Sequence, residues 1–222
     1  MSFTYLLSFL HDVLISKTSS PNNSVLEVVL SKGRYRLNTA NATYSYEDLY
    51  DVFFKAFQRL AFQKRALKNV LVLGTGLGSV PLILQKKFGR KAHFVCVDID
   101  NVVIDLAKQY LPSEVVKNTT FVVADAMAFV IQAAQNKDVY DCIVVDLFID
   151  DSTPAIFRSK PFLEQCKNLL PPKGMLLYNV LSNTKEHQKI GDHFWINYFL
   201  PIFPNSKVLE SPSNKVFFFE AL

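Results

Sequence analysis

Glycines and carboxylates that could bind or react with a ligand follow the ends of several β-rich segments in this 222-residue chain. The segment VLVL leads into Gly74–Gly78, and later segments lead into Asp98, Asp125 and Asp146. Ligands of open α/β sheets bind beyond the carboxyl ends of the parallel strands. We therefore expect these residues to meet at one edge of a sheet and to line a single site.

Gly74, Gly76 and Gly78 form a G-x-G-x-G loop, with Thr75 inside it, that is a candidate nucleoside-binding loop. Glycine lets a ligand approach the backbone closely and can open a helix with a positive N-terminus. Ser79 departs from the dinucleotide fingerprint G-x-G-x-x-G, and the lack of a following Lys-Ser/Thr excludes a P-loop. The alternative is a loop that merely connects a strand to a helix.

Asp98 lies 20 residues beyond Gly78, at a place where dinucleotide-binding folds use a carboxylate to hold the ribose. Its alternative role is the N-cap of the next helix, although Asp100 is better placed for that. Ile99, the next residue, joins the predicted cofactor contacts.

The pair Asp125 and Ala126 follows the third strand. The Asp125 carboxylate could accept a hydrogen bond from an adenine amino group while the Ala126 N–H meets a ring nitrogen. Helix capping is again the alternative for Asp125.

Asp146 ends the most hydrophobic strand, Cys142–Val145. A carboxylate at the mouth of a buried strand has a pKa open to tuning by desolvation, which makes Asp146 a candidate general base. Its alternative role is to cap a helix or bind loop amides. Asp150 and Asp151 follow in the next loop. A solvated position is the simpler role for both, and one of them, with Asp150 as our candidate, could hold a cationic acceptor.

The elements that would position these residues alternate between short apolar runs and helical segments from Val70 onward. Runs that are hydrophobic on both faces and separated by helices indicate a parallel sheet covered on both sides, the α/β class. The chain then ends in KVLE and KVFFFEA around Ser-Pro-Ser-Asn, which predicts a terminal antiparallel hairpin.

The N-terminal part has a different pattern. Apolar spacing predicts an amphipathic helix over residues 3–16, and a hairpin of Val25–Leu30 and Tyr35–Thr39. A second helical stripe runs from Leu49 to Leu60, with Ser45 predicted as its N-cap. We therefore predict an extension over residues 1–63 and an α/β domain over residues 64–222.

Composition narrows the function classes. A formal charge of +4 is too small to indicate nucleic acid as a partner. The segment 3–15 is too short to span a membrane and lacks the basic start of a signal peptide. The three cysteines are widely spaced and the histidines show no ligand spacing, so we predict a cytoplasmic protein without a metal.

The whole set resembles the class I S-adenosylmethionine (SAM) methyltransferase fold, a Rossmann-like doubly wound sheet with a terminal hairpin. The matching segments are VLVLGTGLG, VDID, ADA, YDCIVVD and KVLESPSNKVFFFEA. More narrowly, it looks like the spermidine synthase branch, which has a hairpin and a helix ahead of the glycine loop, here SVLEVVLSKGRYRLN and YSYEDLYDVFFKAF.

This resemblance implies a role for each residue that matches a motif. The loop glycines would line the nucleoside, Asp98 would hold the ribose, and Asp146 would be the carboxylate on the acceptor side. Asp125 and Ala126 would hold the adenine. Tyr50 matches the tyrosine of the family's Tyr-His-Glu element, and we place it at the acceptor.

Departures from the family pattern guide the predicted activity. Asp51-Val52 replace the His-Glu pair of the family's Tyr-His-Glu element. Two further departures bear on the donor. Leu77 stands where spermidine synthases carry an acidic residue, and Asp146-Leu147-Phe148-Ile149-Asp150 stands where they have Asp-Ser-Thr-Asp-Pro, so the second acidic residue is displaced and Phe148 adds an apolar wall. Decarboxylated SAM ends in an ammonium that needs a nearby anion, so these changes favour intact SAM. We predict a SAM-dependent methyltransferase acting on a small molecule. The alternatives are an aminopropyltransferase that uses decarboxylated SAM and a polyamine, and a nucleoside-binding protein without catalysis; a homodimer is left open.

Overall fold

A computed structural model describes residues 3–40, 42–149 and 152–222 of the chain. These residues form a four-stranded antiparallel sheet followed by a seven-stranded mixed sheet. The strands of the small sheet are β1 (Val13–Thr18), β2 (Leu26–Ser31), β3 (Arg34–Asn38) and β4 (Thr43–Ser45). The strands of the large sheet are β5 (Asn69–Leu73), β6 (His93–Asp98), β7 (Thr119–Val123), β8 (Cys142–Val145), β9 (Met175–Leu181), β10 (Lys207–Glu210) and β11 (Asn214–Glu220).

Helices connect the strands of the large sheet and precede it. They are α1 (Phe3–Leu7), α2 (Asp51–Arg59), α3 (Ser79–Lys86), α4 (Asn101–Tyr110), α5 (Ser113–Val116), α6 (Ala126–Gln135), α7 (Lys160–Asn168), α8 (Lys185–Phe194) and α9 (Leu200–Ile202). A π-helical stretch, Trp195–Phe199, joins α8 to α9, and 3₁₀ turns cover Glu47–Leu49, Phe62–Lys64 and Ala155–Arg158.

The strand order of the large sheet is β10-β11-β9-β8-β5-β6-β7. Strands β5 to β9 are parallel. Strand β11 pairs antiparallel with β9, and β10 pairs antiparallel with β11 at the edge of the sheet. The chain moves outward from β5 to β7 and then returns to place β8 on the other side of β5. The order therefore reverses between β5 and β8, which is where such sheets bind ligands. The predicted α/β class and the terminal hairpin are confirmed.

Both faces of the large sheet are buried, which explains its continuous apolar runs. Along β5, Leu71 and Leu73 pack against one set of helices, and Val70 and Val72 pack against the other. Side chains of α2 join the second set: Phe53 and Phe57 are fully buried there. Thus α2 is part of the core of the large sheet although it precedes β5, and the predicted boundary at residue 63 stays a prediction.

The N-terminal helix over residues 3–16 was predicted wrongly. The helix ends at Leu7, and Val13–Thr18 forms β1, which pairs with β2 through Val13 and Leu30 at one end. The apolar spacing is compatible with a helix, but pairing with the edge of β2 gives this backbone hydrogen-bond partners that a local pattern does not reveal. The predicted β2–β3 hairpin is confirmed.

Two helix starts also differ from the prediction. Ser45 lies in β4 rather than at an N-cap, and α2 begins at Asp51 after a 3₁₀ turn. The apolar spacing of Phe194–Phe203 predicts that the last helical region begins at Phe194. It begins instead at Lys185, where the Thr184 hydroxyl accepts a hydrogen bond from the His187 N–H at 3.0 Å. The first turns of α8 are polar and therefore carry little apolar periodicity.

No helix formed by the described residues has the length and hydrophobicity needed to cross a bilayer.

Candidate active site

A cavity of about 540 Å³ opens at the carboxyl ends of β5 to β8. Residues of the N-terminal region, among them Asn23 and Tyr44, contribute to its wall. Most of the predicted site residues line it: Tyr50, Gly74, Gly76, Asp98, Ile99, Asp125, Ala126 and Asp146. Thr75 and Gly78 lie outside this wall, and Asp150 falls outside the described residues.

The glycine loop is shaped by close contacts within the protein. Gly74 has a φ of +91°, and a Cβ on it would lie 2.1 Å from the Asp146 carbonyl oxygen. Gly78 caps α3 with a φ of +76°, and a Cβ there would meet Leu111 at 2.4 Å. Side chains are therefore excluded at both positions. Gly74 keeps the ends of β5 and β8 together at the cavity, whereas Gly78 serves the packing of α3.

Asp98 ends β6 and is held by backbone amides. One carboxylate oxygen accepts the Thr75 N–H at 2.9 Å, and the other accepts the Asp100 N–H at 3.0 Å. Burial raises the pKa of the Asp98 carboxyl, while these amides act in the opposite direction. Each carboxylate oxygen can accept a further hydrogen bond. The two oxygens therefore suit two neighbouring ribose hydroxyls, which is the fit that a nucleoside requires.

Helix capping was the alternative role of both Asp98 and Asp125. Asp98 does not cap a helix, whereas Asp125 does. Asp100 caps α4 by accepting the Val102 N–H at 3.0 Å, which leaves Asp98 to the cavity. Asp125 caps α6 by accepting the Ala128 N–H at 2.9 Å with one oxygen. Because Asp125 also lines the cavity, its second oxygen can still meet a base. Ile99 is 51% exposed and offers an apolar surface beside it.

Asp146 lies directly after β8 and receives two side-chain hydrogen bonds. The Tyr50 hydroxyl donates to one carboxylate oxygen at 3.2 Å, and the Asn179 amide donates to the other at 2.8 Å. Desolvation raises the pKa of Asp146 to about 7, against the lowering effect of these two donors. A carboxylate with such a pKa can accept and release a proton near neutrality.

Tyr50 reaches Asp146 from the N-terminal side because it is the N-cap residue of α2. Burial, followed by the charge of Asp146, raises the pKa of its hydroxyl well above the usual value. Tyr50 therefore stays protonated and acts as a donor to Asp146. The rings of Tyr50 and Phe53 lie 5.9 Å apart, which anchors the tyrosine to the core of α2.

Leu77 does not face the cavity. Its side chain is 1% exposed and packs with Leu26, Val28, Leu37 and Val103 beneath the N-terminal sheet. The predicted preference for intact SAM assumed that residue 77 meets the cofactor tail. That assumption is wrong, because the Leu77 side chain points away from the cavity and lies in an apolar cluster.

Within the described ranges, no three or more His, Cys, Asp or Glu side chains are grouped as a metal site requires.

Comparison with known proteins identifies the family of this chain. The family model described as the spermine/spermidine synthase domain matches residues 59–193 of the chain. The chain belongs to the spermine/spermidine synthase family. A polyamine aminopropyltransferase of Vibrio vulnificus is 30% identical over 151 residues, which are 67% of this chain and 49% of that protein. One of Saccharolobus islandicus is 37% identical over 123 residues, or 52% of this chain and 39% of that protein.

Solved structures confirm the fold of the family. Spermidine synthase from Thermotoga maritima has a TM-score of 0.70 at 16% identity and covers 94% of this chain and 72% of its own. Human methyltransferase-like protein 13, solved with SAH, has a TM-score of 0.63 at 22% identity. The match covers 77% of this chain and 82% of that protein's chain. The matches with the two curated aminopropyltransferases extend over half of their length or less.

Several residues of the site were not predicted. Asn179 lies within the otherwise apolar β9 and bridges two groups: it donates to Asp146 and accepts from Asn214 at 3.0 Å. A polar residue in the middle of MLLYNVL was a signal that could have identified it. Tyr44, which donates to the Phe148 carbonyl at 3.3 Å, had no such signal, because its position depends on how the N-terminal sheet lies on the cavity.

Proposed function

We propose that the chain is a group transferase that moves the aminopropyl group of decarboxylated SAM to an amine. The observation that supports this most directly is the position of Asp146. Its carboxylate, with a pKa raised to about 7, opens on the same cavity as the ribose-binding candidate Asp98. A proton acceptor and a nucleoside-binding edge therefore share one space, which a purely nucleoside-binding protein does not need.

The nucleoside half of the cavity would bind and orient the donor. Asp98 would accept hydrogen bonds from the ribose, Asp125 and Ala126 would meet the adenine edge, and Ile99 would pack against the base. Gly74 and Gly76 would let the sulfur end approach the backbone. When bound, the nucleoside supplies a carbon that the positively charged sulfur makes electrophilic.

The acceptor half would prepare the nucleophile. An amine arrives largely protonated at neutral pH and must lose that proton before nitrogen can attack carbon. Asp146 would take the proton, with the Tyr50 hydroxyl and the Asn179 amide fixing the orientation of the carboxylate. A new carbon–nitrogen bond would form as the carbon–sulfur bond breaks, and the positive charge would pass from sulfur to the product ammonium.

The choice of aminopropyl over methyl transfer is supported by the relatives. Two of them are named polyamine aminopropyltransferase, and the matched family is spermine/spermidine synthase. The sequence argument for intact SAM depended in part on Leu77, whose side chain lies in an apolar cluster. Methyl transfer from intact SAM is therefore kept as the competing outcome of the experiment.

The acceptor class follows from the wall around Asp146. Phe148, Leu181 and Asn214 line this side of the cavity. Among the described wall residues, the other carboxylates are Asp98, Asp100 and Asp125 on the nucleoside side. The acceptor would thus present one amine to Asp146 and lay its chain along apolar and amide groups. The predicted contact of a second cationic group with Asp150 stays a prediction.

Parallel titration calorimetry with SAM and decarboxylated SAM tests the donor. We expect tighter binding of decarboxylated SAM, followed by formation of 5′-methylthioadenosine when putrescine is added. Asp105→Asn, which removes an exposed carboxylate on α4 outside the cavity, is the matched control and should change neither result. Tighter binding of intact SAM together with methylated product would instead establish methyl transfer.

A further inference from the structure

We propose that a second cavity, on the far side of the 3₁₀ turn Ala155–Arg158, binds a small organic anion that carries phosphate or carboxylate groups. This cavity has a volume of about 430 Å³ and lies between that turn and α8. Arg158, Ser159, Lys189 and His193 contribute its polar wall. The volume is that of a metabolite site.

Among the residues that the structure describes, the wall of the second cavity carries positive charge and no acidic side chain. Arg158 and Lys189 form no ion pair or side-chain hydrogen bond with any residue in the described ranges. The Arg158 Nε is buried and lacks a hydrogen-bond partner there. A buried donor left unpaired is costly, and the same guanidinium carries further N–H donors that a bound anion would pair with.

The charge of Arg158 lies close to the core of the protein. Burial raises the pKa of the Tyr178 hydroxyl, and the positive charge of Arg158 acts in the opposite direction. The guanidinium is thus held in a partly desolvated position, where its interaction with an anion is stronger than at an open surface. Its planar set of donors matches the oxygens of a phosphate or a carboxylate.

Other groups of the wall complement the arginine. The His193 Nδ1 lies 3.1 Å from the Asn197 amide, so the other ring nitrogen remains for a ligand. Ser159 is the N-cap of α7, where the helix dipole is positive. Tyr198 lies against His193 with ring centroids 5.8 Å apart and adds an aromatic surface for the organic part of a ligand.

The same short turn also forms part of the first cavity. Ile156 and Phe157 line the first cavity, whereas Ala155 and Arg158 line the second. The Phe157 carbonyl accepts a hydrogen bond from the buried Tyr178 hydroxyl at 3.0 Å, which anchors the turn between them. An anion bound to Arg158 would therefore hold the segment that shapes the wall of the first cavity.

Titration calorimetry with inorganic pyrophosphate and with citrate, at an ionic strength held constant with sodium chloride, tests the site. We expect saturable one-site binding of at least one of them, and the preferred anion distinguishes a phosphate from a carboxylate ligand. Arg158→Gln and Lys189→Gln should each weaken that binding at least tenfold. Lys185→Gln, on the same helix but outside the wall, should leave the affinity unchanged.

S-adenosylhomocysteine, titrated in parallel, reports on the first cavity and on folding. Its affinity should be the same in the wild-type protein and in Lys189→Gln. Heats that do not saturate would overturn the proposal, as would equal weakening by Lys185→Gln. If Arg158→Gln fails to fold, Lys189→Gln alone decides, and unchanged anion affinity in that folded variant would overturn the proposal.

Discussion

The two halves of the first cavity, which we propose bind the nucleoside and the acceptor, hold their carboxylates in different ways. In the nucleoside half, backbone N–H groups bind Asp98 and Asp125. In the acceptor half, the described donors to Asp146 are two side chains, Tyr50 and Asn179. Fixed amides of the local loop prepare an aspartate for binding, whereas a desolvated carboxyl with side-chain donors keeps a pKa of about 7 and suits proton transfer.

The largest expected effect is on folding and tests whether residue 77 belongs to either half. Leu77→Asp would place a carboxylate in the apolar cluster beneath the N-terminal sheet, and an uncompensated buried charge costs about 3–5 kcal/mol. We expect that loss in the free energy of unfolding measured with urea. Leu77→Met, which keeps the volume, should lose less than about 1.5 kcal/mol. A stable Leu77→Asp protein with a higher affinity for decarboxylated SAM would show instead that residue 77 contacts the donor.

Asp146→Asn tests the acceptor half. The amide keeps the shape and hydrogen bonding of the side chain but removes its capacity to accept a proton. We expect turnover to fall by about 10²-fold or more, the usual contribution of a general base, with nearly unchanged affinity for S-adenosylhomocysteine. Initial rates with a saturating amine measure it. Normal turnover in this variant would reduce Asp146 to a structural residue and erase the difference between the halves.

Asp98→Ala tests the nucleoside half. Losing charged hydrogen bonds to the ribose should weaken S-adenosylhomocysteine binding by about 1.5–3 kcal/mol, measured by calorimetry. Asp105→Ala on α4 is the control for the loss of a carboxylate. Unchanged affinity in a folded Asp98→Ala protein would show that the ribose is held elsewhere.

The smallest effect is a shift in the pH dependence. Activity should rise as the pH passes about 7, because Asp146 must be deprotonated to accept a proton. The Tyr50 hydroxyl lowers the pKa of Asp146, so Tyr50→Phe should move this rise to a higher pH. Profiles of kcat/KM against pH measure the shift. A rise that stays at the wild-type pH would mean that Tyr50 does not control Asp146.

The residues on the proposed nucleoside half of the cavity could largely be located from the sequence because its parts are local. A strand, a glycine loop and a carboxylate at a strand end follow one another within short segments, and Asp98 and Asp125 both line the cavity. The predicted contacts of Thr75 and Gly78 are less direct. The Thr75 N–H donates a hydrogen bond to Asp98. Gly78 has no room for a side chain because Leu111 lies against it, and it does not line the cavity.

The residues on the proposed acceptor half could be located only in part, because that half is assembled from distant segments. It combines the N-cap of α2 (Tyr50), the residue after β8 (Asp146) and a residue within β9 (Asn179). These side chains meet because the elements pack together, and their spacing in the sequence does not reveal it. The orientation of Leu77 was missed for a similar reason: the N-terminal sheet that buries it is far away in the sequence. Ser45 was predicted as a helix cap, but its hydroxyl forms a hydrogen bond with the Ser79 hydroxyl at an oxygen–oxygen distance of 2.8 Å.

The desolvated carboxyl of Asp146 also couples folding to proton uptake. Its pKa rises from 3.8 to about 7, so the folded chain binds a proton that the unfolded chain releases between these values. The stability that this protonation provides is complete below the unfolded pKa. It is lost as the pH rises through the folded pKa, a change on the order of 4 kcal/mol. A cationic substrate beside Asp146 would return part of that stability, so substrate binding should protect the protein against heat more strongly at alkaline than at acidic pH.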